Sequence, residues 1–245
     1  MTFYKSLIPF DIFATDEPIS IDLPYQNADH HRNIFKEAIY RRDARCWVHK
    51  DLAAITLLTA RLLSKRYDWS LQIKDCLRTS DSQTAMIETD VSKANPHWFE
   101  EPRLLSPPGA GAHPRAMAID VCALYSDSSQ VNMGTPFDWM DEKSARNYND
   151  FPDEILENRK KLEEAYLQSA EYLKQNIIPL PEEWWDFRFG GDIYEQYAPL
   201  SDADIPPQMQ MTNEIDNNID DLPLSHFEKL AEEIRSLIHK ADENI

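Results

Sequence analysis

Apolar residues recur at helical spacing between Asp51 and Arg66: Leu52, Ile55, Leu58 and Leu62 share one face, and Lys65 and Arg66 suit the negative end of the helix dipole. A second stripe, Ile155, Leu162, Tyr166, Ser169 and Leu173, predicts a helix over about 153–175, with Asp153 and Glu154 in its first turn and Glu157 one turn from Lys161. A third opens at Ser225, with Glu228 at capping-box spacing, and places Phe227, Leu230, Ile234 and Leu237 along one side. Short runs around Ile73, from Met117 to Leu124 and from Trp184 to Phe189 have strand character. Strands interleaved with helices and Pro-bearing loops predict a mixed α+β domain.

The stretch LSDADIPPQMQMTNEIDNNIDDLP, from Leu200, has no usable hydrophobic period and reads as a linker or extended arm outside the core. The expected organisation is therefore a domain over 1–200, an acidic arm over 201–223 and an amphipathic helix over 224–245, docked on the domain or available for self-association. A chain of 245 residues supports one substantial core.

Charge narrows the partners. Acidic residues outnumber basic ones by 43 to 25, and a net charge of -18 repels nucleic acid and anionic lipid surfaces. No run approaches the roughly 20 apolar residues of a membrane span, and the N-terminal stretch is broken by Pro9, Asp11 and Asp16, unlike a secretory signal. A cytoplasmic location is expected. Cys46, Cys76 and Cys122 are odd in number and widely spaced, which argues for reduced structural thiols over a disulfide framework or thiolate zinc site. Only five glycines are present, too few and too scattered for a phosphate-binding loop or a dinucleotide fingerprint.

Three segments carry groups capable of chemistry. In GAHPRAMAIDV, His113 precedes Asp120 by seven positions, so both reach one ion only if the chain bends near Pro114. In PEEWWDFRF, Glu183 and Asp186 are three apart, beside Trp184 and Trp185, which either wall a water-poor cleft or belong to the core. KDCLRTSDSQTA offers Arg78 at a strand end, as a surface ion-pair partner or, in a cleft, as an oxyanion-stabilising group.

Taken in order, these segments resemble the D-alanyl-D-alanine dipeptidase family of zinc peptidases, which includes the vancomycin-resistance dipeptidases. The resemblance runs from about Ile21 to Phe189. The family pattern SxHxxGxAxD lies over Gly111 to Asp120, ExWH over Glu183 to Asp186, and MGTPFDWMDE, from Met133 to Glu142, matches a further family stretch. Tyr25 approaches the family's YATxDNF opening, Asp75 to Thr79 its DxxRP loop, and RDARCW from Arg42 to Trp47 is also similar. The resemblance implies a small central antiparallel sheet flanked by helices. It also implies that His113, Asp120 and the residue at 186 bind zinc, that Glu183 is the general base, that Arg78 lies beside the scissile carbonyl, and that Asp138 and Tyr25 contact a dipeptide beside Trp184. The implied activity is hydrolysis of a D-Ala-D-Ala-type dipeptide or short cell-wall peptide.

The departures bear on the site. Asp186 stands where the family has its third ligand, a histidine; a set of one imidazole and two carboxylates cancels a dication's charge, which predicts weaker zinc affinity, a more alkaline optimum or a preference for a harder ion such as manganese. Gly111 replaces the pattern's serine, Ala116 replaces its glycine, and the proline after Arg78 is absent. His97 and His49 are minor candidates to complete the ion site. A degenerate peptidase fold that binds a peptide or protein partner is the main rival reading, and a metallo-amidohydrolase acting on a non-peptide is a third.

Overall fold

The computed structural model describes residues 3–100 and 104–242. The chain opens with β1 (Leu7–Pro9), continues through β2 (Ile19–Ile21) and returns as β3 (Trp47–His49), which pairs antiparallel with β1. Helix α1 (Lys50–Tyr67) starts where His49 accepts the Asp51 amide on its ring (3.4 Å) and stops where Asp68 turns left-handed at φ 57°. Its apolar face is fully buried. His49 is thus a buried helix cap, and His97 lies exposed on the surface, so neither completes the ion site.

β4 (Ser70–Asp75) leads into two short helices, α2 (Ser80–Glu88) and α3 (Asp90–Ala94), capped by the hydroxyls of Thr79 and Thr89. β5 (Ala118–Leu124) is buried along its whole length. After α4 (Asp153–Tyr172) come β6 (Ile177–Pro179), β7 (Asp186–Phe189), the single turn α5 (Gly191–Tyr194) and α6 (Leu224–Asp242). The main sheet has the order β2-β4-β5-β7-β6. It is antiparallel except at the β2 edge, where β2 runs parallel to β4. The α+β class predicted from the sequence is observed.

α1 packs against α4, α6 and β4. α4 reaches the sheet through Tyr166, stacked on Phe187 of β7 with ring centroids 3.8 Å apart. It ends at Tyr172, earlier than its apolar stripe predicts, because Lys174 turns left-handed (φ 54°) and the Gln175 amide closes back on the Ala170 carbonyl (2.8 Å). Lys161 does not pair with Glu157; its ammonium lies over the rings of Tyr67 and Trp69, at 5.1 and 5.8 Å from their centroids.

Two expectations for the C-terminal third are corrected. The acidic stretch is not outside the core: Leu200, Ile205, Met209 and Met211 are buried within it. They are anchored at irregular intervals by one-turn 3-10 helices at Asp202–Asp204 and Pro207–Met209, so no period betrays them. Buried Asp202 holds the stretch in place by accepting the Met211 and Thr212 amides, each at 2.9 Å. In α6, Ser225 lies inside the first turn, and the buried face runs through Phe227, Leu230, Ile234 and Ile238, whereas Leu237 is exposed. That face lies against α1 and β1. Among the described residues, no helix is long and apolar enough to cross a membrane.

Phe227 packs against the Trp47 ring and is buried, so Phe227→Ala is expected to destabilise the protein by about 3 kcal/mol in urea unfolding. A loss below about 1 kcal/mol would show that α6 adds little to the core.

Candidate metal centre and active site

Three carboxylates stand in one row across the sheet: Asp120 of β5 is in register with Asp75 of β4 on one side and Asp186 of β7 on the other. The β4 register shifts between Ile73 and Asp75, and this irregularity brings Asp75 opposite Asp120. His113 reaches the row from the bend foreseen at Pro114, a 3-10 turn over His113–Arg115 that Ala116 ends at φ 51° before β5 begins. Like charges on neighbouring strands repel, and each aspartate has a cationic partner. Arg78 donates from Nε to Asp75 (2.8 Å) and from Nη2 to Asp120 (3.3 Å). The Tyr40 hydroxyl completes Asp75 (2.7 Å).

Asp186 is gripped by Arg188, whose Nε donates to Oδ1 (2.7 Å) and whose Nη2 donates to Oδ2. That same Oδ2 lies 3.2 Å from His113 Nε2, which is in turn 3.5 Å from Asp120 Oδ1. His113 Nδ1 donates to the Cys76 carbonyl (2.7 Å), leaving Nε2 directed at the two carboxylates.

This arrangement fits a divalent ion. Donor atoms of a tetrahedral site with bonds of about 2.0–2.1 Å stand roughly 3.3 Å apart, close to the two His113 separations. Asp120 Oδ1 is buried yet makes no hydrogen bond, the condition of an acceptor reserved for another partner. Glu183 stands beside the group, with one carboxylate oxygen within 4.8 Å of oxygens of Asp120 and Asp186.

Burial and the nearby Arg78 push the His113 pKa down, but Asp120 and Asp186 outweigh them and hold it at about 10. Ion binding would therefore displace a proton. Glu183 is raised to about 8, first by burial and then by the charges of Asp186 and Asp120. Burial would also raise Asp186, yet Arg188 and His113 overcome it and keep the carboxyl well below the usual range.

A cavity of about 90 Å³ opens on these groups, lined by Arg78, Gly111, His113, Glu183, Asp186 and Arg188 among others. Tyr25 and Asp138 are not in its lining; both are buried, and the Tyr25 hydroxyl donates to Asp138 Oδ2, with Arg78 5.9 Å from the Tyr25 ring centroid. Burial raises the Asp138 pKa to about 7, despite the Tyr25 hydrogen bond and Arg78, which act to lower it. Trp184 does not line the cavity either: its indole N–H donates to Thr135 (2.9 Å), and it packs edge-on to Trp185 within the core.

A buried imidazole and three aligned carboxylates, with His113, Asp186 and the neighbouring Glu183 lining a small cavity, define the constellation of a metal-dependent hydrolase. The family model described as D-ala-D-ala dipeptidase matches residues 6–202, and the chain belongs to this metallopeptidase family. It is also 29% identical over 179 residues to the D-alanyl-D-alanine dipeptidase of Escherichia coli (strain K12), covering 72% of this chain and 82% of that protein. The protein is a dipeptidase-type peptidase.

Sequence reasoning missed Arg188, which changes the charge balance expected for Asp186: the added carboxylate is paired with a guanidinium. The available signal was its position two residues from Asp186 on the same strand, a spacing that puts both side chains on one face. Tyr40 and the Cys76 carbonyl, which position Asp75 and His113, gave no signal in the sequence.

The native protein holds the Asp138 proton more tightly than the unfolded chain does, since its value of about 7 lies above the ordinary one. This contribution is full below about pH 4 and is lost as pH rises through about 7. Asp138→Asn keeps an acceptor for Tyr25 and tolerates the left-handed backbone at φ 60°. The Tm advantage of the parent over this variant is expected to shrink between pH 5 and 8 in thermal melts; a constant difference would refute the buried-acid assignment.

Proposed function

We propose that this enzyme hydrolyses a D-amino-acid-containing dipeptide of the D-Ala-D-Ala type, or a short cell-wall peptide, at a divalent ion held by His113, Asp120 and Asp186. The observation that carries this reading is the convergence of those three donors, with Asp120 Oδ1 left without a hydrogen bond, beside Glu183 and a small cavity. The relative from Escherichia coli, whose name gives D-alanyl-D-alanine as its substrate, supports the substrate class.

Zinc is the ion proposed, with manganese the harder alternative, and when bound it supplies a polarised carbonyl and an acidified water. Glu183 takes the proton of the attacking water and returns it to the leaving amine; a carboxyl lifted toward neutrality exchanges protons well in both directions. Arg78 is fixed by Asp75 and Asp120 through Nε and Nη2, and its Nη1, outside those bonds, is the donor proposed for the developing oxyanion, since Arg78 lines the cavity. Asp138, held by Tyr25 just outside the cavity lining, is the counter-charge proposed for the substrate's ammonium. Trp184 supports the Thr135–Asp138 loop from behind through its bond to Thr135. A cavity of about 90 Å³ suits small side chains. The buried, unpaired thiols Cys46, Cys76 and Cys122 suit a reducing compartment, and we place the enzyme in the cytoplasm.

Glu183→Gln is expected to lower kcat by about 10²–10⁴-fold while the ion stays bound; a loss below about tenfold would remove Glu183 from the base role. Against a panel of dipeptides with D or L residues at each position, and with Glu183→Ala as the blank, turnover of D-Ala-D-Ala is expected. Hydrolysis confined to L,L-dipeptides would sink the proposed substrate class, and metal analysis of His113→Ala must show loss of the ion that the parent retains.

A further inference from the structure

The charge at the third ligand position belongs to a pair. Arg188 lies two residues beyond Asp186 on β7 and donates to both of its carboxylate oxygens. One of these, Oδ2, is the oxygen that approaches His113 Nε2 at 3.2 Å. The guanidinium therefore shares the atom with which Asp186 would hold an ion. It also lies at the cavity wall, within the field of anything bound there.

Gly111 lies beside this guanidinium: a Cβ at position 111 would stand 3.8 Å from Arg188 Nη1 and 4.0 Å from Ser106 Oγ, ordinary contact distances. What disfavours a side chain there is the backbone, at φ 80°. Gly111 and Asp186, two places where the sequence leaves the family pattern, thus meet at one residue, Arg188.

We propose that Arg188 and Asp186 act together as a net-neutral third ligand, in which Arg188 offsets the extra carboxylate and restrains the site's affinity for a divalent cation. This rests on the metal-site reading above. Paired in this way, one imidazole, two carboxylates and one guanidinium carry the same net charge as two imidazoles and one carboxylate. Arg188 acts through Asp186 and is a positioning residue with a charge of its own. These two roles have opposite signs. Loss of a residue that only orients a ligand weakens metal binding by roughly 10–100-fold. Removal of a cation that repels the ion and occupies its ligand oxygen strengthens binding, and the low-dielectric setting makes this the larger effect.

Competition with a chromogenic chelator, for zinc and for manganese, tests the proposal on the full chain and its Arg188→Leu, Arg188→Lys and Asp186→His variants, together with the Asp186→His/Arg188→Leu double variant. Arg188→Leu is expected to bind zinc roughly tenfold or more tightly than the parent, and Arg188→Lys to remain within a few-fold of the parent. Asp186→His alone leaves Arg188 unpaired and is expected to bind more weakly, with the double variant returning toward the parent. Unchanged or weaker binding in Arg188→Leu overturns the proposal. If that variant fails to fold with its aspartate unpaired, the comparison of Asp186→His with the double variant decides: no gain on removing Arg188 there overturns it equally. A parent that binds an ion while Arg188 removal has no effect refutes this inference alone. If neither the parent nor any Arg188-deleted variant takes up an ion, the metal-peptidase reading falls with it.

Discussion

Three aspartates side by side on three adjacent strands at the centre of a buried sheet are the constraint around which this protein is built. Charges removed from water are tolerated only when paired, and the surrounding chain supplies the partners: Arg78 between Asp75 and Asp120, His113 between Asp120 and Asp186, and Arg188 on Asp186 alone. The remaining lone pairs go to Tyr40 and to the Cys76 amide. One oxygen, Asp120 Oδ1, has the His113 ring nitrogen at 3.5 Å but no hydrogen bond, and the chemistry proposed for the site follows from that spare acceptor. The β4 irregularity at Asp75 and the turn at Pro114 are the backbone adjustments that bring these partners into reach.

α4 and α6 were legible from periodicity because each buries one face and leaves the other to solvent, which forces a 3.6-residue repeat on the sequence, while α1, enclosed by α4, α6 and β4, was legible from its apolar run. The irregular segment after Leu200 was not. Its buried residues are fixed by 3-10 turns and by the side-chain bonds of Asp202, and such a scaffold imposes no period on composition. Much the same distinction explains the end of α6, where two adjacent apolar residues, Leu237 and Ile238, are both compatible with the stripe and only packing selects the second.

In the site, His113, Asp120, Glu183, Asp186 and Arg78 were legible as a set because local segments resemble a family pattern in order, and the fold brings all five to one place. What the sequence hid is the pairing within that set. An arginine among charged neighbours reads as an ordinary surface residue until the sheet register shows which carboxylate it grips. Arg188 is such a residue, and it converts what reads as the loss of a histidine into a charge-compensated exchange. Trp184 illustrates the converse: an aromatic pair beside candidate catalytic residues invites a role in binding, but its burial and the bond to Thr135 place it behind the loop that carries Asp138.

The Asp202 anchor extends the site's dependence further along the chain than the family match, which stops at that residue. Its backbone amide is tied to Asp81 in α2, its carboxylate gathers Met211 and Thr212, and the Met211 carbonyl accepts the Arg41 amide next to Tyr40. Tyr40 in turn holds Asp75. The segment that composition marks as a spacer is thus a keystone: it locks the loop bearing Tyr40 to the helix that follows Arg78, so the walls on two sides of the aspartate row share one fastening. A domain trimmed to the limits of its family resemblance would keep every residue proposed for chemistry and lose the piece that holds two of their supports together.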